Sequence, residues 1–327
     1  MKKDFWQLIR GICIILVILI HCLYMTDNIL INYGNIVIKK IINFVVATFI
    51  FMAGYFTNIE KTTDFYKKKI LRLLPALLIW DFIYTIVWAL SNKPTLLSAI
   101  KSLIISSKSG HLYYIYVLIQ LFVIAPFLIK FIRKYKKRKI VYFPLLITPI
   151  YNTLLLYINI KYDTNIPLYQ YYIFGWVSYY YFGLLTKEKI ISNNICVKKE
   201  VFILLTTLIL SIMEGIIVYS CFENYAIATS QLGIVNFFYS ILICKIFYNI
   251  SNQKTQSNEI LVKIGNYSFG IYLSHILVLR IVSKITNLLS LNYIIITIIN
   301  YITTIIICYI INEIYYKYIK GRMLCKK

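Results

Sequence analysis

Residues 8–25 read LIRGICIILVILIHCLYM. From Ile12 to Ile20 the run is apolar without a break, and Arg10 and His21 are the two basic groups within it. Its apolar residues follow neither the alternation of a half-buried strand nor the single stripe of a surface helix, so the helix it encodes must be enclosed on every side. A length near the roughly 20 residues that cross a hydrocarbon core points to lipid as the enclosure. Similar runs follow at 36–57, 70–90, 112–132, 140–160, 168–186, 200–220, 226–249, 265–283 and 289–312. The chain of 327 residues is 60% hydrophobic and 14% charged, with mean hydropathy +0.73. A soluble domain is about a quarter charged, so this chain has too little polar surface to cover a core in water. The absence of period-2 alternation excludes a transmembrane barrel. The expected fold class is therefore all-α integral membrane: a bundle of about ten transmembrane helices, with residues 1–327 as a single domain and no separate soluble domain. Met1, Lys2 and Lys3 before an apolar run resemble a signal peptide, but no small-residue cleavage site follows, and the run is read as a retained first helix.

Charge sets the orientation. The net charge is +23, from 35 Lys and Arg against 12 Asp and Glu. With the first residues inside, ten alternating spans leave eight basic residues outside: Lys39, Lys40, Lys93, Lys101, Lys108, Lys161, Arg280 and Lys284. The other 27 fall inside, in clusters such as Lys67 to Lys69 and Lys136 to Lys139. That bias is the one cytoplasmic loops carry, so both termini are expected in the cytoplasm. Clusters between apolar runs also argue against a nucleic-acid partner and for membrane lipid. Lys39 and Lys40 fit least well and are expected to snorkel to the outer interface. The outer segment Leu96–Ile105 is partly apolar and is expected to lie on the membrane or re-enter it. Trp6, Trp80, Trp88, Trp176 and many of the 31 tyrosines serve in part as interfacial anchors.

The seven cysteines, Cys13, Cys22, Cys196, Cys221, Cys244, Cys308 and Cys325, form no Cys-x-x-Cys pair, so neither a metal site nor a disulfide framework is indicated. Cys22 and Cys221 are both expected near the outer face, where a bridge between them would be a weak alternative.

Ionisable groups inside lipid are costly and mark function. The candidates are His21, Asp81, Glu214 and His275, with Gln120, Asn236 and Asn300 as uncharged polar residues. Arg10 and His21 are eleven residues apart, which is 1100° at 100° per residue, so they project from one helix face about 16 Å apart. A cation at the cytoplasmic mouth would thus stand below an imidazole near mid-membrane. The plain alternative is that Arg10 snorkels to headgroups and His21 bonds a neighbouring helix. Asp81, nine residues beyond Arg72, is expected on the same helix face, positioned to orient a histidine or neutralise a basic residue. His111 is expected at the outer mouth, where an acceptor would arrive. Glu214 is expected in the outer part of the seventh helix, also beside an acceptor. His275 is weighed as a site residue against a structural hydrogen bond. Gly54 is expected to permit close helix packing.

The segment from Arg10 to His21 resembles the Arg-x10-His signature of the membrane acyltransferase-3 family. Further elements follow in that family's order: FMAGYF at 51–56, KILRLLP at 69–75, HLYYIYVL at 111–118 and GNYSFGIYLSH at 265–275. They run from the first helix to the ninth. Ala53, Lys69 and Gln7 depart from the family pattern, and the last bears on how Arg10 is held. The resemblance implies transfer of an acyl group, usually acetyl, from cytosolic acyl-CoA to a hydroxyl of an extracytoplasmic polysaccharide or lipid-linked glycan. It makes His21 the catalytic residue, Arg10 a donor-binding residue, and acetyl-CoA a donor substrate with no bound cofactor or metal. A neutral imidazole suits removal of a sugar hydroxyl proton, and Arg10, Lys69 and Arg72 suit the phosphates of CoA.

Residues 173–183, IFGWVSYYYFG, look most like the intercellular-adhesin biosynthesis branch, for which polysaccharide export has been proposed. Export of a polysaccharide, or transport of a small polar solute, is therefore the competing function, and polysaccharide-synthesis machinery is the expected protein partner. A purely structural membrane protein gives no reason for the stacking of Arg10 and His21. Composition rich in Ile, Lys, Asn and Tyr suggests an AT-rich genome and a bacterial plasma membrane.

Overall fold

A computed structural model describes residues 2–95, 97–98, 110–162, 169–191, 197–253 and 258–320. All regular structure among them is helical: α1 Lys2–Cys22, α2 Ile29–Ile42, α3 Phe44–Tyr55, α4 Thr62–Asn92, α5 Tyr113–Tyr135, α6 Ile147–Lys161, α7 Val177–Lys187, α8 Val197–Phe222, α9 Tyr225–Ala228, α10 Ile234–Ser251, α11 Glu259–Thr286 and α12 Tyr293–Ile314. A run of 3-10 helix, Lys139–Leu146, leads into α6. Among the described residues nine helices are long and apolar enough to cross a membrane: Asp4–Cys22, Ile29–Tyr55, Thr62–Asn92, Gly110–Tyr135, Lys139–Lys161, Lys199–Phe222, Ile234–Ser251, Glu259–Leu289 and Tyr293–Tyr318.

The expected sixth run, 168–186, departs from this set. It folds as two 3-10 turns, Tyr169–Tyr171 and Ile173–Gly175, followed by α7. An eleven-residue helix rises about 16 Å, half a hydrocarbon core. Every residue from Val177 to Thr186 is buried. Protein therefore encloses this helix, which is the condition under which interrupted backbone is tolerated at membrane depth.

Ends and breaks follow local chemistry. Asn28, Asn258 and Asn292 accept from backbone N–H groups of the first turns of α2, α11 and α12. These caps satisfy donors that a helix terminus leaves open. They also start α2 at Ile29 and α11 at Glu259, earlier than the apolar runs at 36 and 265. α4 begins at Thr62 rather than 70, because its first two turns carry the basic residues that a hydropathy reading leaves out. The expected helix 226–249 is interrupted between α9 and α10, where Gly233 adopts φ 115. The expected helix 36–57 breaks at Asn43, whose amide donates to the carbonyls of Thr229 and Ser230 at 3.3 and 3.1 Å. The segment Leu96–Ile105 lies outside the described residues except for Leu97 and Ser98, as do Cys196 and Cys325. Cys22 and Cys221 are free thiols, the first buried and the second exposed.

The chain forms two interleaved compact units. One holds residues 1–49, 195–231 and 242–327, the other 50–194 and 232–241. In the first, α1 packs along α11, and α11 turns back against α12. In the second, α4 packs on α5 through Phe65 and Phe122, ring centroids 5.8 Å apart. Gly54 and Gly183 let α3 and α7 touch backbone to backbone: a methyl group at Gly54 would strike the Tyr180 carbonyl, and one at Gly183 the Phe51 carbonyl. Gly54 is thus a packing residue, as its type suggested.

Candidate active site

The first unit is organised by one seam. A Cβ at Gly11 would collide with the Leu261 carbonyl, and a Cβ at Gly265 with the Gln7 carbonyl. The two glycines face each other where α1 and α11 come closest. Ten residues further along each helix stands a histidine. One heptad plus three residues carries an a position to a d position, so a parallel pair that matches Gly11 with Gly265 also matches His21 with His275. The imidazole centroids are 5.2 Å apart, inclined at 52°. His275 is fully buried, whereas His21 is accessible. The Nδ1 of His275 lies 2.6 Å from the Tyr272 carbonyl oxygen. A carbonyl only accepts, so Nδ1 carries the proton and donates, which fixes the tautomer and the ring plane of His275.

Arg10 lies on the same unbroken α1, so the spacing of about 16 Å to His21 holds. Its guanidinium donates to Gln7 Oε1 at 3.2 Å, so the departure at Gln7 still leaves Arg10 held from one turn away. His21 is in the last turn of α1. The helix stops at Cys22 because a polar turn, residues 24–28, follows at once. A helix C-terminus favours positive charge, so an imidazolium formed here gains from the helix dipole.

The same end of the unit is polar. Asn35 is buried and donates through Nδ2 to Tyr293 Oη at 2.7 Å and to the Tyr24 carbonyl at 3.0 Å. The rings of Tyr24 and Tyr293 meet edge to face, centroids 5.0 Å apart. Lys39 rests its ammonium over the Tyr225 ring, 5.2 Å from the centroid, and lies within electrostatic reach of His21.

Lys40 does not snorkel outward. It is buried, 3.8 Å from Glu214 Oε2 and 3.5 Å from the Ser230 carbonyl. An inward carboxylate and a helix break with open carbonyls compensate the ammonium within the protein. Glu214 on α8 is therefore an ion-pair partner of Lys40. Lys39 has no carboxylate partner among the described residues. A desolvated cation–π contact returns about 2 kcal/mol, against a desolvation cost of several kcal/mol per buried ion.

The second unit holds the remaining candidates. Lys69 is half-buried, its ammonium 5.3 Å from the Phe122 ring centroid, and Arg72 is exposed. His111 is buried on the turn Gly110–Leu112, edge-on to Tyr84 at 4.9 Å. Asp81 is buried one turn before Tyr84 on α4, within electrostatic reach of Tyr171. Asp81 and Arg72 do not share a face: nine residues turn 900°, half a turn out of phase. Leu73, Leu77, Asp81 and Tyr84 form the inward stripe, and Arg72 points away from it. The structure thus places His111 beside Tyr84 in this unit, and His21 with His275 in the other.

Sequence reasoning missed Lys39, Tyr24, Asn35 and Tyr293. Only the equal Gly-to-His spacing on α1 and α11 signals the pairing of the histidines. Among the described residues no group of three His, Cys, Asp or Glu is placed to hold a metal ion.

Apolar helices of spanning length, with paired imidazoles and a compensated ion pair inside, define a multi-pass membrane protein. The chain belongs to the acyltransferase-3 family, whose model, described as an acyltransferase domain, matches residues 3–313. It is a membrane acyltransferase by that membership. No curated protein and no solved structure matches it.

Proposed function

We propose that the protein moves an acyl group, acetyl in the simplest case, from cytosolic acyl-CoA to a hydroxyl of an extracytoplasmic polysaccharide or lipid-linked glycan, in a bacterial plasma membrane. The observation that carries this reading is an accessible imidazole, His21, set against a buried one of fixed tautomer, His275, with Arg10 about 16 Å away along the same helix. His21 takes the proton of the acceptor hydroxyl as that oxygen attacks the thioester carbonyl. A C–O bond forms, the C–S bond breaks, and the proton passes from the imidazolium to the leaving thiolate of CoA. His275 acts as a positioning residue: its Nδ1–H is committed to Tyr272, and its ring limits how His21 can turn. Arg10, steadied by Gln7, binds a phosphate of the donor.

Topology supports the reading. α1 and α11 run parallel, yet the span containing α11 is the eighth of nine, and successive crossings alternate in direction. One more crossing before α11 would resolve this, and residues 169–187 are the candidate for it. Ten crossings then leave both ends on the cytoplasmic side, as the distribution of basic residues favours.

One observation favours export as the second reading. The break at Asn43 faces the non-helical turn after α9, and interrupted helices of this kind line transport sites. Labelled acetyl-CoA supplied to membranes containing the protein separates the two. Transfer predicts acetyl incorporated into glycan, lost by roughly 100-fold or more in His21→Ala, with Arg10→Ala raising the KM for acetyl-CoA. Incorporation equal to wild type in His21→Ala contradicts it.

A further inference from the structure

A polar stripe runs down α2 within a span whose neighbours are apolar. Asn32, Asn35, Lys40 and Asn43 are all buried, and Lys39 is half-buried among them. All four buried residues have polar or ionic partners. Asn32 donates to Tyr219 Oη at 2.9 Å, Lys40 faces Glu214, and Asn43 donates to the carbonyls of the turn after α9. Those contacts tie α2 to α8 and to the chain that follows it. Asn35 and Lys39 differ. One helix turn apart, they share a face that meets Tyr24, Tyr225 and Tyr293 rather than a carboxylate.

The surroundings have a definite chemistry. Tyr24, three residues after His21, is 46% exposed, so its ring is open to a ligand. Aromatic faces accept the C–H faces of a sugar ring, and Asn35, whose amide donates to Tyr293 and to the Tyr24 carbonyl, holds those residues in place. The Lys39 ammonium spends one side on the Tyr225 ring, and a π face removes no charge. Its neighbour Lys40 is matched to Glu214, so the described residues supply one carboxylate for two adjacent lysines. The second cation remains to be met by something that enters the site.

We propose that Lys39, with Asn35, Tyr24 and Tyr293, forms an acceptor subsite beside His21, and that Lys39 binds an anionic group, a carboxylate or a phosphate, on the acceptor carbohydrate. The proposal rests on the transferase reading for the identity of the acceptor. A sugar uronate and the phosphate of a polyprenyl-linked sugar present the same chemistry to an ammonium. A charge-assisted contact at this end of α1 holds the acceptor with its hydroxyl near the His21 imidazole.

The test uses the full chain in nanodiscs and a binding readout that needs no turnover. Three probes are compared by saturation-transfer NMR: a uronate-containing trisaccharide, a polyprenyl phosphate monosaccharide, and a neutral trisaccharide. His21→Ala protein is expected to bind one of the two charged probes and the neutral one more weakly. Adding Lys39→Gln is expected to weaken the charged probe at least tenfold and to leave the neutral probe unchanged, while Lys39→Arg restores binding. Which charged probe responds identifies the source of the anion. Binding that depends on Lys39 in a protein that transfers no acetyl would keep the subsite and sink the transferase reading. The proposal is overturned if wild-type protein binds neither charged probe, or if Lys39→Gln weakens all three alike. It is also overturned if acetyl transfer is intact while Lys39→Gln leaves binding of the charged probes unchanged.

Discussion

His21 and His275 show how one buried contact separates roles that residue type leaves merged. Both are histidines in apolar helices, and a sequence offers each the same plain explanation, a hydrogen bond to a neighbour. The structure distinguishes them by access: His21 is accessible, and His275 is enclosed with its Nδ1 on the Tyr272 carbonyl. A positioning role predicts that His275→Ala lowers kcat about 10- to 100-fold with little change in the KM for acetyl-CoA. His275→Asn, which can still donate to the carbonyl, should recover part of the loss. A fall in thermal stability with kcat untouched would mean that His275 only packs. Arg10 and His21 were legible because eleven residues is a fixed angle and rise on any helix. The partners Lys39 and Asn35 were not, because their meaning depends on which tyrosines from distant segments close over them. Arg72 and Asp81 were misjudged through phase alone, since a nine-residue step reverses the face of a helix.

At the scale of elements, the site depends on how closely α1 and α11 approach. Two glycines remove the Cβ atoms that would hold the helices apart, and backbone carbonyls lie where those atoms would be. A side chain can swing aside, but a helix carbonyl cannot move without its turn. Gly11→Leu should therefore cost about 1–3 kcal/mol of stability, seen as a lower midpoint of thermal unfolding in detergent. It should also reduce acyl transfer, because the histidine pair moves with the seam. Gly34, with nothing within reach of an added Cβ, supplies the control: Gly34→Ala should leave both unchanged. Helix existence was legible from apolar runs, and the asparagine caps explain where several runs were read too short. The breaks at Asn43 and after α9 escaped that reading because the chain stays apolar across them; only the carbonyls accepting from Asn43 and Lys40 reveal them.

For the whole molecule, the account ties direction to number. Parallel α1 and α11 require an even number of crossings to have passed when α11 begins, and the crossing proposed for residues 169–187 would complete it. Tags fused at each end should both be protected from added protease in intact cells and both be cut after permeabilisation. A C-terminal tag cut in intact cells would remove the tenth crossing, and an N-terminal tag cut in intact cells would remove the inside placement of Arg10. Residues 168–186 read as an apolar run of spanning length in the sequence, whereas α7 is eleven residues long and enclosed by protein, because 3-10 turns occupy the first part of that run.

The central claim is acyl transfer through His21. The most direct measurement is the O-acyl content and location of surface glycan in a deletion strain carrying either the intact gene or His21→Ala, with membrane levels matched. The account predicts that the variant strain exports its glycan without acyl groups, as the deletion does. Glycan held inside the deletion strain, with His21→Ala indistinguishable from the intact gene, would contradict it and identify an exporter.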